Sequence, residues 1–378
     1  MEVSKRERLS NIELLKIIAI FMIIISHFIQ TFAETNDISS STNSLQIFLL
    51  ALFQHFGNIG NNIFFICSAW FLLDAQKSNK KKLFQLLINV WVISFIILII
   101  FILAGNVRLR TNEIIKCLLP TTFSNNWYIT CYILFSLLFP ILNYVLDKLT
   151  QKELLSLLLV SGFLNYVVHP LFKEWGGGYF YFNQLIVWTL LYMLLGYYKR
   201  YILTKGEKRN NDSVRFGLVL FSVSIVGYIG LPLMANFLGS RNAFFNHRLL
   251  FFNSTDNVFL VLLPLSLFSL FSRLHLQNKI INRISSFSLY IYIIHENLLV
   301  RRYFRPLIYS WLNNTYGYGN VLGWIFLFAF ITFVVCSLLS LLYQKTILCY
   351  VKKVTDWSFP RICTYWNRTL ERLVNIYR

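Results

Sequence analysis

The sequence predicts an all-α polytopic membrane helix bundle of about ten transmembrane helices, with both termini in the cytoplasm. Three observations predict it. The 378 residues are 56% hydrophobic and only 13% charged, whereas soluble domains carry about 25% charged residues. The mean hydropathy is +0.57. Apolar runs long enough to cross a bilayer recur along the chain, near 11–32, 46–73, 83–104, 126–147, 153–170, 180–199, 214–236, 256–272, 284–305 and 320–343.

Loop charge sets the orientation. The net charge is +19, which raises the question of nucleic acid, but the basic residues are dispersed between apolar spans and no nucleic-acid partner is indicated. With the N-terminus inside, 25 of the 35 Lys and Arg fall on cytoplasmic segments and 9 on the opposite side. That is the bias of positive-inside topology. Six cysteines show no CxxC spacing, so neither zinc nor a disulfide framework is expected. The KRER start runs into the first span without an A-x-A cleavage site, which predicts an uncleaved first helix.

The first span, NIELLKIIAIFMIIISHFIQTF (11–32), holds Glu13, Lys16 and His27. Ionisable residues inside a span are costly and mark functional sites facing the bundle interior. Lys16 and His27 are eleven residues apart, which puts them within about 20° of one helix face and about 16 Å apart along the axis. Glu13, one turn before Lys16, is placed to pair with it. Lys16 also has the plainer reading of an interfacial anchor, and His27 that of a polar residue satisfied by a neighbouring helix.

The second segment is interrupted by GNIGNN (57–62), which predicts a broken helix or a short interfacial piece before the span. Ser68 and Ala69 are small residues suited to close helix packing. Lys77, Lys80, Lys81 and Lys82 follow at the cytoplasmic face, serving topology or holding the phosphates of a soluble cofactor. The fourth span opens with Trp127 and Tyr128, which read as interfacial belt residues, and Pro140 is expected to kink it. The ninth, RISSFSLYIYIIHENLLVRRYFRP (283–306), places His295 and Glu296 near mid-membrane and Arg301, Arg302 and Arg305 at the outer end. His295 reads first as a structural hydrogen-bonding partner. Three arginines on an outer face run against the positive-inside rule and suggest recognition of an anionic glycan or a lipid-linked phosphate. The chain thus divides into a membrane domain (1–345) and a basic, aromatic cytoplasmic tail (346–378), which reads as an interfacial amphipathic helix held by anionic lipid.

Four stretches together resemble the acyltransferase-3 family of integral membrane acyltransferases: NIELLKIIAIFMIIISH (11–27), NIFFICSAWFLL (62–73), NNWYITCYILFSLLFPILN (125–143) and SSFSLYIYIIH (285–295). The first carries the family's acidic residue and its basic residue, with ten residues between the latter and a histidine. The second resembles the FFxxSG segment, and the last the SxxxYxxH ending. The closest branch O-acetylates bacterial surface polysaccharides and lipid-linked glycans. The resemblance implies a catalytic His27, with Lys16 where the family often has Arg and Glu13 beside it. It implies acetyl-CoA as cytoplasmic donor, met by Lys16 and the 77–82 lysines, and no metal. A glycan acceptor would meet Trp127, Tyr128, His295, Glu296 and the arginines. The expected location is the bacterial cytoplasmic membrane; a homo-oligomer or an envelope-synthesis complex stays open. Ala69 replaces the usual Gly, and lysines replace the family's Arg-rich motif, offering point charges where Arg offers a fork.

In this reading neutral imidazole, with a pKa near 7, removes the proton from a sugar hydroxyl. His27 carrying the acetyl group transiently is a second route. A transporter or flippase for a glycan precursor, using the same intramembrane charges as a path, is the alternative function. A non-catalytic scaffold is the third.

Overall fold

The computed structural model describes residues 8–35, 44–105, 108–123, 125–169, 184–203, 207–239, 241, 257–316 and 320–376. Among these the regular structure is helical throughout. Five helices are individually long and apolar enough to span a membrane: α1 (Ser10–Thr35), α4 (Lys80–Ala104), α6 (Trp127–Lys148), α9 (Glu207–Gly239) and α14 (Val321–Thr346). The other five apolar segments fold as shorter or interrupted helices. Segment 46–73 forms α2 (Ser44–Gln54) and α3 (Phe56–Leu72). Segment 153–170 forms α7 (Gln151–Phe163), which continues as a π turn at Leu164–Val168. Segment 180–199 forms α8 (Gln184–Tyr197) and a π turn, its first residues lying outside those described. Segment 256–272 forms α10 (Phe259–Phe271). The last, 284–305, is broken and is taken up below. A short amphipathic helix not foreseen from the sequence, α5 (Thr111–Leu118), lies between α4 and α6.

α1 is the hub. It touches α2, α3, α10 and α14 as well as the pieces of the broken segment. Its tightest partner is α3, which runs antiparallel to it, and here the sequence expectation needs correcting. GNIGNN does not interrupt the helix. The interruption falls just before it, at His55, and Gly57 to Asn62 lie inside α3. The glycines are spent on contact. A Cβ at Gly60 would lie 2.6 Å from the Ala19 carbonyl and 2.8 Å from Ile23 Cγ1, and one at Gly57 would lie 2.6 Å from Ser26 Oγ. Bare backbone is what lets the two helices approach, and such packing takes over where lipid removes the hydrophobic drive between helices.

Polar side chains fasten the remaining helices. Asn143 on α6 donates to the carbonyls of Leu72, the last residue of α3, and Ala75 beyond it, and accepts from Tyr192 of α8. Tyr343 of α14 donates to Asn89 of α4 at 2.7 Å. Phe65 of α3 and Trp188 of α8 stack at 4.5 Å. The outward faces carry exposed apolar side chains such as Leu103, Val226 and Leu338, as a lipid-facing surface requires. Pro140 sits inside α6 without ending it. The tail is one helix, α15 (Leu348–Ile376), tied to α4 by Lys81 and Asp356 at 2.7 Å and by the Phe84–Phe359 ring contact. Trp357, Tyr365 and Trp366 stand exposed on it.

Gly60→Val is expected to destabilise the fold by about 1–3 kcal/mol, the cost of overpacking a filled contact. The same change at Gly162, where a Cβ meets nothing, should leave the midpoint almost unmoved. Thermal unfolding of the purified protein in detergent compares the two.

Candidate active site

The ninth segment splits into α11 (Lys279–Ser285), α12 (Ser288–His295), a π turn (Val300–Phe304) and α13 (Arg305–Tyr316). The continuous span expected there is therefore wrong. The break falls at Glu296 and Asn297, and the sequence explains it. Asn297 Oδ1 accepts from the Leu299 backbone N–H at 3.0 Å, an N-cap that starts a new helical turn, while its amide nitrogen donates to Ser94 of α4. Broken backbone at membrane depth is tolerated only inside protein or beside a cavity, and this one faces α1.

The break brings His27, His295, Glu296 and Arg305 into one buried cluster. Glu296 Oε2 lies 2.7 Å from His27 Nδ1 and 3.2 Å from Arg305 Nη2; its Oε1 lies 3.0 Å from Arg301. Arg305 also donates to the His295 carbonyl at 2.7 Å and to the His27 carbonyl at 3.4 Å. These are carbonyls that a continuous helix would have used itself, or that α1 leaves accessible. Glu296 and Arg305 are each 4% exposed, so the carboxylate is met by the Arg305 Nη2 group instead of by water.

The network assigns protons. His295 Nδ1 lies 2.8 Å from the Ile291 carbonyl, which only accepts, so that nitrogen carries the hydrogen and Nε2 presents a lone pair. His27 Nδ1 therefore faces two acceptors, this Nε2 at 3.1 Å and the Glu296 carboxylate at 2.7 Å, and must be protonated. Neutral His27 then has its lone pair on Nε2, which has no hydrogen-bond partner among the described residues. His27, His295 and Glu296 are also close enough to share a cation. Two guanidinium groups already hold that carboxylate, however, and the imidazole N–H occupies the same space, so the set fits an orienting network better than a cation.

At the other end of α1, Lys16 pairs with Glu13 at 3.5 Å, and Ser285 of α11 donates to the same carboxylate. Lys16, Ser68, Tyr132, Ser285 and Ser286 line a cavity of about 200 Å³. Above it, Ile20 and Ile23 of α1 line a void of about 10 Å³ with Asn61, Phe64, Tyr128 and Tyr292. Lys16, Ile20, Ile23 and His27 follow one another at i, i+4, i+7 and i+11, a single stripe on α1. The buried Oδ1 of Asn61 and hydroxyl of Tyr128 have no hydrogen-bond partner among the described residues.

The remaining expected residues fall in different places. Lys77, Lys80, Lys81 and Lys82 lie at or before the start of α4 and do not line the Lys16 cavity. Tyr128 is not a belt residue; it is 3% exposed, packed among Phe64, Trp188 and Tyr292. Trp127 lines a separate cavity. Arg302 is held by Glu113 of α5 at 2.7 Å, and Tyr303 donates to the same carboxylate. Sequence reasoning missed Asn297, Ser285 and Glu113. The HEN triplet, an N-cap residue straight after two ionisable ones inside an apolar run, was the available signal for the break.

Burial pushes the Glu113 carboxyl up, but the Arg110 N–H, the Tyr303 hydroxyl and the Arg302 guanidinium outweigh it and hold the group below its ordinary 4.5. A lowered folded pKa adds stability that is complete above the unfolded value and is lost as pH falls through the folded one. Glu113→Gln should accordingly flatten the acid limb of the unfolding midpoint below about pH 4.5, with the gap from wild type largest near neutrality. Arg305→Ala leaves a buried carboxylate short of its main partner and should cost about 3–5 kcal/mol. Adding Glu296→Gln should recover part of that loss in the same unfolding measurement.

No curated protein and no solved structure matches the chain. A family model described as an acyltransferase domain matches residues 9–341, which takes in α1, the α12 break and most of α14. The chain therefore belongs to the acyltransferase-3 family and is a multi-pass membrane acyltransferase.

Proposed function

We propose that this acyltransferase moves an acetyl group from cytoplasmic acetyl-CoA to a hydroxyl of a polysaccharide or lipid-linked glycan on the other side of a bacterial cytoplasmic membrane. The observation that carries the reading is the fixed tautomer of His27. An imidazole with its N–H on a buried carboxylate and its lone pair free is arranged as a general base.

The acceptor hydroxyl gives its proton to His27 Nε2 as its oxygen attacks the thioester carbonyl. The C–S bond breaks, and the departing thiolate takes the proton back from the imidazolium. Glu296 stabilises the imidazolium while it exists, and Arg301 and Arg305 keep that carboxylate ionised and in place. His295 holds the second side of the His27 N–H. Glu296 and His295 are thereby positioning residues for His27 rather than acceptor contacts. The arginines expected at an anionic glycan find carboxylates inside the protein instead.

Donor access is supported by the α1 stripe. The nucleotide end of CoA would stay at the cytoplasmic face. Its pantetheine arm would pass Lys16 and the 200 Å³ cavity and widen the void at Ile20 and Ile23, where the free polar atoms of Asn61 and Tyr128 suit its amides. The path from Lys16 to His27 is about 16 Å, which an extended pantetheine arm covers. The Glu13–Lys16 pair sits at the entrance, and Ser285 fixes its orientation.

His27→Ala and His27→Gln are expected to lower acetyl transfer by at least about 10²-fold, in the range set by loss of a general base, at unchanged protein abundance. Glu296→Gln should lower it less, since the N–H of His27 keeps His295. The readout is O-acetyl content of the producing cell's surface polysaccharide by NMR, with a deletion strain beside the variants. Normal acetylation with His27→Ala overturns the proposal. Loss of the polymer with unchanged acetyl per repeat would point instead to transport of a precursor.

A further inference from the structure

A third cavity, of about 320 Å³, lies at the His27 end of the bundle. Its walls are Asn58 and Asn62 of α3, Trp127 at the start of α6, Gln184 and Val187 of α8, and Leu260 of α10. Its height along α1 follows from the glycine contact: Gly57 packs on Ser26, the residue before His27, and Asn58 is the next residue of α3. The starts of α3 and α6 divide this cavity from the void beside Ile20 and Ile23. Trp127 and Asn62 face the outer cavity, while their chain neighbours Tyr128 and Asn61 line the void beside Ile20 and Ile23.

The chemistry of the lining is specific. It combines one indole, three primary amides and aliphatic side chains, with no ionisable group. Part of the amide set is already oriented. Asn62 donates to the Leu260 carbonyl at 2.9 Å and accepts from Gln184 at 3.3 Å. That leaves the Gln184 carbonyl oxygen and the Asn58 amide without a protein partner among the described residues. The volume is that of a small-ligand site, where apolar walls and a few placed polar groups set specificity. A pyranose has this pattern in reverse: one face of C–H groups that packs on an aromatic ring, and a rim of hydroxyls that both donate and accept, as amides do. The cationic groups that would favour a uronate or sialate, Arg301, Arg302 and Arg305, are instead occupied by Glu296 and Glu113.

We propose that this cavity is the acceptor subsite and that it takes an uncharged hexose or N-acetylhexosamine residue, its ring face on Trp127 and its hydroxyls on Asn58 and Gln184. Asn62 acts through Gln184, as a positioning residue. The assignment rests on the acyl-transfer reading for what happens to the sugar, but its binding does not depend on turnover.

Saturation-transfer difference NMR of the purified full-length protein in nanodiscs tests it, with methyl glucoside, methyl N-acetylglucosaminide, methyl galactoside and methyl glucuronide as probes. At least one neutral glycoside should show transfer, strongest at the protons of one ring face, and the glucuronide should show several-fold less. Trp127→Ala should remove the signal, Trp127→Phe should retain part of it, and Gln184→Leu should weaken it several-fold with the unfolding midpoint close to wild type. His27→Ala should leave the signal in place. No transfer from any neutral glycoside, preference for the glucuronide, or signals unaffected by both Trp127→Ala and Gln184→Leu would overturn the subsite. Retained binding with normal acetylation in His27→Ala would overturn the catalytic reading and leave the subsite standing, so the two failures are distinct.

Discussion

The structure depends on keeping one carboxylate ionised inside the bundle. Glu296 is 4% exposed, and a charge so placed is stable only with close, well-directed partners. It has three: the His27 N–H, the buried Arg305 and the half-exposed Arg301. Nine residues of continuous helix would set Arg305 about 13 Å along the axis from Glu296. The break at Glu296 and Asn297 and the π turn after it bring the guanidinium back. The break also frees the His295 carbonyl, which Arg305 then satisfies. Loss of helix and gain of ion pair are thus the same event, and neither is stable without the other.

Asn297 decides where the break falls, and α4 decides that it holds. The side chain caps the new turn and reaches Ser94, which in turn donates to the Cys117 carbonyl of α5. Glu113, on the same short helix, grips Arg302 and Tyr303. The π turn is therefore pinned from outside by α5 and from inside by Glu296. A site held by a buried charge on one side and a surface helix on the other has little freedom to drift, which is what a base needs to meet a reacting atom within hydrogen-bond reach.

α1 joins this centre to the opposite end of the bundle. Lys16, Ile20 and Ile23 border open space on one side of α1, while Ala19, Ile23 and Ser26 pack on the glycines of α3 and other side chains meet α14. Close packing and open space are both consequences of side-chain size. Glycine on α3 admits the α1 backbone, and serine at positions 68, 285 and 286 leaves volume beside Lys16.

Much of this was legible in the sequence. Apolar length and loop charge predict a helical membrane bundle, because a bilayer leaves the backbone few ways to satisfy its hydrogen bonds. The spacing of Glu13, Lys16 and His27 reads directly as one helix face, since positions on a single helix are fixed by its own geometry. Even the tail helix follows from composition. What tertiary structure alone decided is which residues of different helices meet. Glu296 and Arg305 read as acceptor contacts because their partner, His27, lies 269 and 278 residues away in sequence, and no periodicity records contacts between helices. Tyr128 reads as a belt residue because an aromatic at a helix start looks the same whether it faces lipid or Trp188. GNIGNN reads as a breaker because glycine's helix penalty is local, whereas the contact with Ala19 and Ser26 that keeps it helical comes from another segment of the chain. A sequence displays the preferences of each helix; the ion pairs and close contacts between helices override them.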